Sequence, residues 1–244
     1  MNGIEFLRRV LTSRVYEIAK ETPLQYASLL SSKTKSSVWL KREDTQRTFG
    51  FNVRGAHHAL ASRDSVGGVV ACAAGNHAEG VAMSARLLNI DATIVVPSNT
   101  SKARLEAIQR HSPKNIVRVG VNFKDVLNEA RRISREENLC FIHPFDDDDV
   151  IVGQATVGAE IVRQIGSNDL DAIFCVTGGG GLLSGISAYV KQVRPDVKII
   201  GVETEDAAPL YTSMKLGMRT KLTEVKLFKH FSLFFEISSS HDHT

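Results

Sequence analysis

Cysteine is scarce in this chain of 244 residues: there are three, Cys72, Cys140 and Cys175. Each lies in or beside an apolar run ("VVACAA", "NLCFIH", "AIFCVT"), so they read as small buried hydrophobes of a reducing compartment and not as a disulfide framework. No Cys-x-x-Cys pair occurs, which argues against a structural zinc site. A dominant charge of one sign is also lacking. Lys and Arg number 30 against 27 Asp and Glu, a formal net charge of +3, and the two signs are interleaved, so no nucleic-acid-binding face is expected. No apolar stretch approaches membrane-spanning length. The amphipathic start "MNGIEFLRRVLTSRVYEIAKETP" carries Glu5, Glu17 and Glu21, a poor export or transit signal. The expectation is a cytoplasmic protein with no membrane or nucleic-acid partner, although an excerpt of a longer organellar chain would read the same way. Repeats and low-complexity linkers are absent.

What is present is alternation. Short runs rich in Val, Ile and Phe ("VGGVVAC", "ATIVVP", "NIVRVG", "LCFIHPF", "AIFCV", "KIIGVE") alternate with helical patterns ("NHAEGVAMSARLLN", "SKARLEAIQRHS", "QATVGAEIVRQIG", "LLSGISAYVKQV"). In "FKDVLNEARRISREEN" the spacing puts Val126, Leu127, Ala130 and Ile133 on one helix face. Near-continuous apolar strands between helices predict an α/β fold, with parallel sheets covered on both faces by helices. The one charge run, "FDDDD" at 145–149, reads as a solvated loop between units; its adjacent acids do not converge on a cation unaided.

Two strand-to-helix junctions carry chemistry. "CVTGGGGLLSG" places Gly178, Gly179, Gly180 and Gly181 before a helix. Consecutive glycines let the backbone approach a ligand, and their N–H groups at a helix start make an anion cradle whose usual guest is phosphate. Neither GxGxxG nor the P-loop pattern fits, so the cradle matches no common nucleotide motif. The bland alternative is a flexible glycine turn. "ACAAGNHAEG" is the second junction: Gly75 permits a tight turn, and exposed N–H groups there could hold a carboxylate while the Asn76 amide reaches a ring hydroxyl. Simple N-capping by Asn76 explains the same residues equally well.

Three segments in order, "KRED" with "FNVRGA", then "AAGNHAEG", then "TGGGGL", resemble the threonine ammonia-lyase (threonine dehydratase) and serine racemase group of fold-type II, tryptophan-synthase-β-like pyridoxal-phosphate enzymes. The resemblance extends over roughly residues 3–228. It implies a larger domain built from 1–56 and 150–228, a small domain at 57–149, and an incomplete larger domain followed by a divergent tail at 229–244. The family motif Ser-Phe-Lys-Leu-Arg-Gly-Ala aligns with Gly50-Phe51-Asn52-Val53-Arg54-Gly55-Ala56, so Asn52 stands at the position of the cofactor lysine. By the same resemblance, Phe51, Asn76, Gly178 to Gly181 and Leu182 would contact pyridoxal 5'-phosphate. Ala73, Ala74, Gly75 and His77 would face the substrate carboxylate.

In the family that lysine both anchors the cofactor and removes the α-proton of L-threonine, which leaves as 2-oxobutanoate and ammonia, the first step of isoleucine biosynthesis. An asparagine amide is neither basic nor nucleophilic near neutral pH, and it is shorter by ~2–3 Å. The resemblance therefore implies a catalytically degenerate copy that binds the cofactor without a covalent link. The alternative is a non-catalytic regulatory subunit that pairs with an intact homologue. L-threonine or L-serine is the implied small-molecule partner, in a homo- or hetero-oligomer. The tail "KHFSLFFEISSSHDHT" does not resemble the family's continuation, and no packed partner within the chain is expected for it.

Overall fold

The computed structural model describes residues 1–63, 67–73 and 75–220, and the backbone of Ser232–Ile237. In chain order the elements are α1 (Gly3–Leu11), a 3-10 turn (Arg14–Glu17), β1 (Leu24–Tyr26), α2 (Ser28–Thr34), β2 (Trp39–Lys41), a second 3-10 turn (Glu43–Thr45) and α3 (Asn52–Ala61). Then follow β3 (Val69–Cys72), α4 (Asn76–Leu88), β4 (Ala92–Val96), α5 (Lys102–Gln109), β5 (Asn115–Arg118), α6 (Phe123–Glu136) and β6 (Cys140–Ile142). The last are α7 (Asp148–Ile165), β7 (Ala172–Val176), α8 (Gly181–Val193), β8 (Lys198–Thr204), α9 (Pro209–Leu216) and β9 (Ser232–Ile237).

The apolar runs become strands because both of their faces are covered. β3 and β4 are buried along their whole length. They form the centre of a parallel sheet in the order β5-β4-β3-β6, with Val70 opposite Thr93 and Phe141. One face packs on α3 and α4 through Ala56, Leu60, Ala78 and Val81. The other packs on α6, whose Val126, Ala130 and Ile133 are buried, as the helical spacing predicts.

β7 and β8 pair in parallel, as expected, but β9 adds to β8 antiparallel, with Val202 opposite Phe234. The expectation that the tail has no partner is thus overturned for the backbone of Ser232–Ile237: β8 offers it an open edge. The side chains of the tail lie outside the described residues. β7 departs from the doubly covered pattern, because Ile173 and Cys175 point into the core while Phe174 and Val176 are exposed. A small antiparallel pair, β1 with β2, completes the sheets.

The helix α7 joins the parts. It packs on α3 on one side and on α8 on the other, and glycines allow both approaches. A Cβ at Gly153 would lie 2.7 Å from the Gly55 Cα, and one at Gly185 would lie 2.6 Å from the Ile151 carbonyl. The acid run is only in part the expected solvated loop: Phe145 and Asp146 precede the helix and Asp146 and Asp148 are exposed, but Asp148 and Asp149 open it. Asp147 caps it, accepting from the backbone N–H of Asp149 at 3.0 Å and of Val150 at 3.2 Å. Arg63 reaches both Asp147, at 2.6 Å, and Asp149, at 3.1 Å, and Arg9 also pairs with Asp149.

Candidate functional site

Asn52 is the first residue of α3, half-buried, and no side chain caps that helix. Two residues on, Arg54 is wholly buried and fixes the helix start. Its guanidinium donates to Glu43 at 2.8 Å, to both oxygens of Glu160 at 2.6 and 2.9 Å, and to the Lys20 carbonyl at 3.1 Å. Burial works against the Arg54 charge, but the two carboxylates outweigh it and hold the guanidinium above its usual range. Glu160 is likewise disfavoured by burial, yet Arg54 and Lys41 bring its carboxyl below the ordinary range.

The lysine nearest in sequence to position 52 is Lys41, and it is occupied. Its ammonium contacts Glu160 at 2.5 Å and donates to the Thr22 carbonyl at 2.6 Å and to Gln164 at 2.9 Å. An ammonium has three protons, and these three partners take them all. Burial lowers the Lys41 pKa against the pull of Glu160, but the side chain remains an element of the ion network and not a free amine.

The second junction lies against the first. Asn76 is the first residue of α4, and Gly75 precedes it with no side-chain cap. N-capping by Asn76 is therefore not its role. Its exposed amide donates instead to the Phe49 carbonyl at 3.4 Å and occupies the space a side chain at position 50 would need. Ala73 and Gly75 are half-buried beside it, and Ala74 lies outside the described residues. His77 turns away into the core: burial pushes its pKa down to about 4, and its Nδ1 has no partner among the described residues. Only its backbone is left to face a ligand.

The glycine run forms a cup at the start of α8. Gly180 precedes the helix with a left-handed φ of 88°, a conformation that glycine adopts without strain, and no side chain caps the helix. The first-turn N–H groups therefore stay open, as an anion requires. A cavity of about 190 Å³ adjoins them, lined by Gly179, Gly180, Gly181, Ser184, Asp146 and Arg219, among others. No side chain enters within 4 Å of where a Cβ at Gly178 would stand, whereas one at Gly179 would overlap the Phe145 ring. At Gly181 a Cβ would come 2.9 Å from the Phe145 carbonyl, so all but glycine are excluded along that wall.

Phe51, Leu182 and Ile151, the last of which also lines the cup, each pack against the same core cluster, and Asn76 touches the loop just before Phe51. Sequence reasoning missed Phe145, Arg219 and Ser184. Ser184, one turn into α8, stands where one register of GxGxxG would need its last glycine, as Leu183 does in the other; nothing local marks Phe145 or Arg219. The donor set fits the phosphate end of pyridoxal phosphate: glycine N–H groups at an uncapped helix start, a hydroxyl and a guanidinium. Position 52, where the resemblance puts the anchoring lysine, carries an amide and no amine.

Comparison with known proteins agrees with the fold. The chain is 50% identical over 227 residues to the mitochondrial threonine dehydratase of Schizosaccharomyces pombe, covering 92% of this chain and 38% of that protein. It is 46% identical over 228 residues to the chloroplastic threonine dehydratase 1 of Solanum lycopersicum, covering 92% and 37%. Among solved structures, the processed threonine deaminase isoform 2 of Solanum lycopersicum superimposes with a TM-score of 0.87 at 39% identity, covering 92% of this chain and 65% of that one. Maize serine racemase gives 0.86 at 26% identity, covering 91% and 68%. The chain spans less than half the length of the curated relatives it matches. The profile of the family described as "Pyridoxal-phosphate dependent enzyme" matches residues 15–231, and with the fold and the glycine cup in agreement, the chain belongs to that family.

Proposed function

We propose that this is a threonine ammonia-lyase-like protein that holds pyridoxal 5'-phosphate without a covalent link and does not deaminate L-threonine. The observation that carries this reading is Asn52, at the start of a helix whose anchoring is intact, with Lys41 committed elsewhere. The N–H groups from Gly178 to Leu182 would seat the phosphate, and Arg219 and Ser184 would complete the seat. Asn76 would meet the ring once its amide leaves the Phe49 carbonyl. The segment 73–77 would offer backbone N–H groups to an amino-acid carboxylate. The cleft is read as lying between a small unit, residues 57–149, and a larger one, residues 1–56 with 150–228.

Pyridoxal phosphate, when bound, supplies an electron sink for charge developing on the amino acid's α-carbon. Using that sink requires a base at the α-proton, and the Asn52 amide cannot take a proton near neutral pH. Loss of a positioned base alone costs ~10²–10⁴ in rate. The compartment proposed is the cytoplasm; a tagged chain found in mitochondria or plastids would replace it. Among the described residues no helix is long and apolar enough to cross a membrane.

The test is spectroscopic and chemical. The purified chain should retain pyridoxal phosphate on gel filtration with the absorbance of the free aldehyde or its hydrate. Borohydride should leave no pyridoxyl mass on any peptide, and L-threonine should yield no 2-oxobutanoate. Asn52→Lys should gain the borohydride-stable mass at position 52. A labelled lysine in the parent chain would show that another amine serves as anchor, and 2-oxobutanoate release would overturn the reading.

A second reading, a regulatory subunit that pairs with an intact homologue, is favoured by exposed apolar surface. Val176 is 66% exposed on the outer face of β7, and the Tyr26–Trp39 edge-to-face pair is also exposed. Co-expression with a full-length threonine dehydratase should then give a stable mixed complex on size-exclusion chromatography. Separate elution of the two would dismiss it.

A further inference from the structure

His143 is buried and takes no part in the chemistry above. Its Nδ1 accepts two backbone N–H groups, from Phe145 at 3.3 Å and from Asp146 at 2.8 Å. The ring is thereby fixed as the neutral tautomer, because a proton on Nδ1 would face two donors. Phe145 stands edge-on to the His143 ring, with centroids 4.5 Å apart, and stacks on Phe123 at 6.2 Å. Phe141 closes the row on the other side of His143 at 5.7 Å. The far side of Phe145 is the wall of the cup: its ring covers Gly179 and its backbone lies against Gly181. Asp146, held by the same acceptor, lines the cavity.

We propose that His143 is a positioning residue of the glycine cup: while neutral it holds Phe145 and Asp146 against the glycine run, and protonation releases that wall. The inference rests on the reading of the cup as a phosphate seat. The charged and titratable groups around the ring are Asp146 and Asp147 on the following turn, Arg131 from α6 and the buried His77 from α4. Burial and Arg131 favour the neutral ring, while the two carboxylates oppose them, and the balance leaves the His143 pKa below its ordinary value. The turn is accordingly intact at neutral pH and is lost as pH falls through that depressed value.

The experiment compares the parent with His143→Asn and His143→Leu. An asparagine Oδ1 can accept the same N–H groups and does not titrate, whereas leucine accepts none. Pyridoxal phosphate affinity is measured by fluorescence from about pH 7.5 to about pH 5, and each parent value is divided by that of His143→Asn. The quotient cancels the protonation of the ligand and of the other histidines. Losing two backbone hydrogen bonds, limited by the proton linkage of one histidine down to about pH 5, predicts that parent affinity falls roughly five- to thirty-fold relative to His143→Asn across this range. His143→Leu should be weak at every pH. Hydrogen exchange at the Asp146 amide reads the turn without any ligand: the parent's rate divided by that of His143→Asn at the same pH, which cancels the intrinsic pH dependence of exchange, should rise on acidification. A flat affinity quotient with an Asp146 exchange ratio that stays constant across the range overturns the proposal. Failure of all three proteins to bind at any pH, with Asp146 exchange behaving as expected, overturns the phosphate seat and with it the role in binding, leaving only the turn.

Discussion

Replacing Glu160 by glutamine removes one negative charge from a buried cluster and keeps the shape of the side chain. Each Glu160 oxygen serves two donors. Oε1 takes Arg54 Nη1 at 2.6 Å and the Tyr16 hydroxyl at 2.7 Å; Oε2 takes Arg54 Nη2 at 2.9 Å and Lys41 at 2.5 Å. A glutamine amide must turn its own NH₂ toward one of these donor pairs. The charges also fall out of balance, because among the described residues Lys41 and Arg54 are offset only by Glu43 and Glu160. Leaving one buried charge unmatched costs ~3–5 kcal/mol. For a chain of this size each kcal/mol lowers Tm by about 2–4 °C, so Glu160→Gln should melt roughly 6–20 °C below the parent. The assay is thermal denaturation by circular dichroism with a reversibility check. The double variant Lys41→Met with Glu160→Gln restores neutrality and should recover part of the loss, a coupling of ~0.5–3 kcal/mol. A Glu160→Gln protein melting within about 2 °C of the parent, or a double variant no better than the single, would refute the network's charge balance as the reason α3 stays in place.

Gly179→Ala drives a methyl into the Phe145 ring and should cost ~1–3 kcal/mol, whereas Gly178→Ala meets nothing within 4 Å and should be neutral by urea denaturation. Equal midpoints for the two would show that Phe145 yields freely. Acid should destabilise the fold through His58 and His77, whose buried rings both have pKa values pushed down to about 4. The unfolded chain binds the protons first, so this stabilisation is complete above the ordinary histidine value and is lost as pH falls toward about 4, by roughly 1.4 kcal/mol per histidine per pH unit. A urea midpoint unchanged between about pH 7 and pH 5 would falsify this.

Much of the frame was legible because it is local. The run "ATIVVP" could only be a buried strand, and the spacing of Val126, Ala130 and Ile133 gave the buried face of α6 directly. The glycine cup announced itself, since four glycines before a helix have few structural uses. The capping and pairing of the acid run were missed because its partner, Arg63, lies 84 residues from Asp147, and only the fold brings them together. Distance in sequence also hid Phe145 from the glycines, and Arg219 from the cup it lines. The pairing of β8 with β9 was missed because "SLFFEI" lacks alternation, and an antiparallel addition to an open edge needs only backbone.

The glycine seams of α7 separate what this chain can lose from what it cannot. At Gly153 and Gly185 the helix backbones meet almost without side chains between them, and that register sets where α3 and α8 begin. Position 52 takes no part in either seam. A substitution there leaves the interlock untouched, whereas any side chain at 153 or 185 would force the helices apart, so the shape of the scaffold and the chemistry of position 52 are set by separate residues.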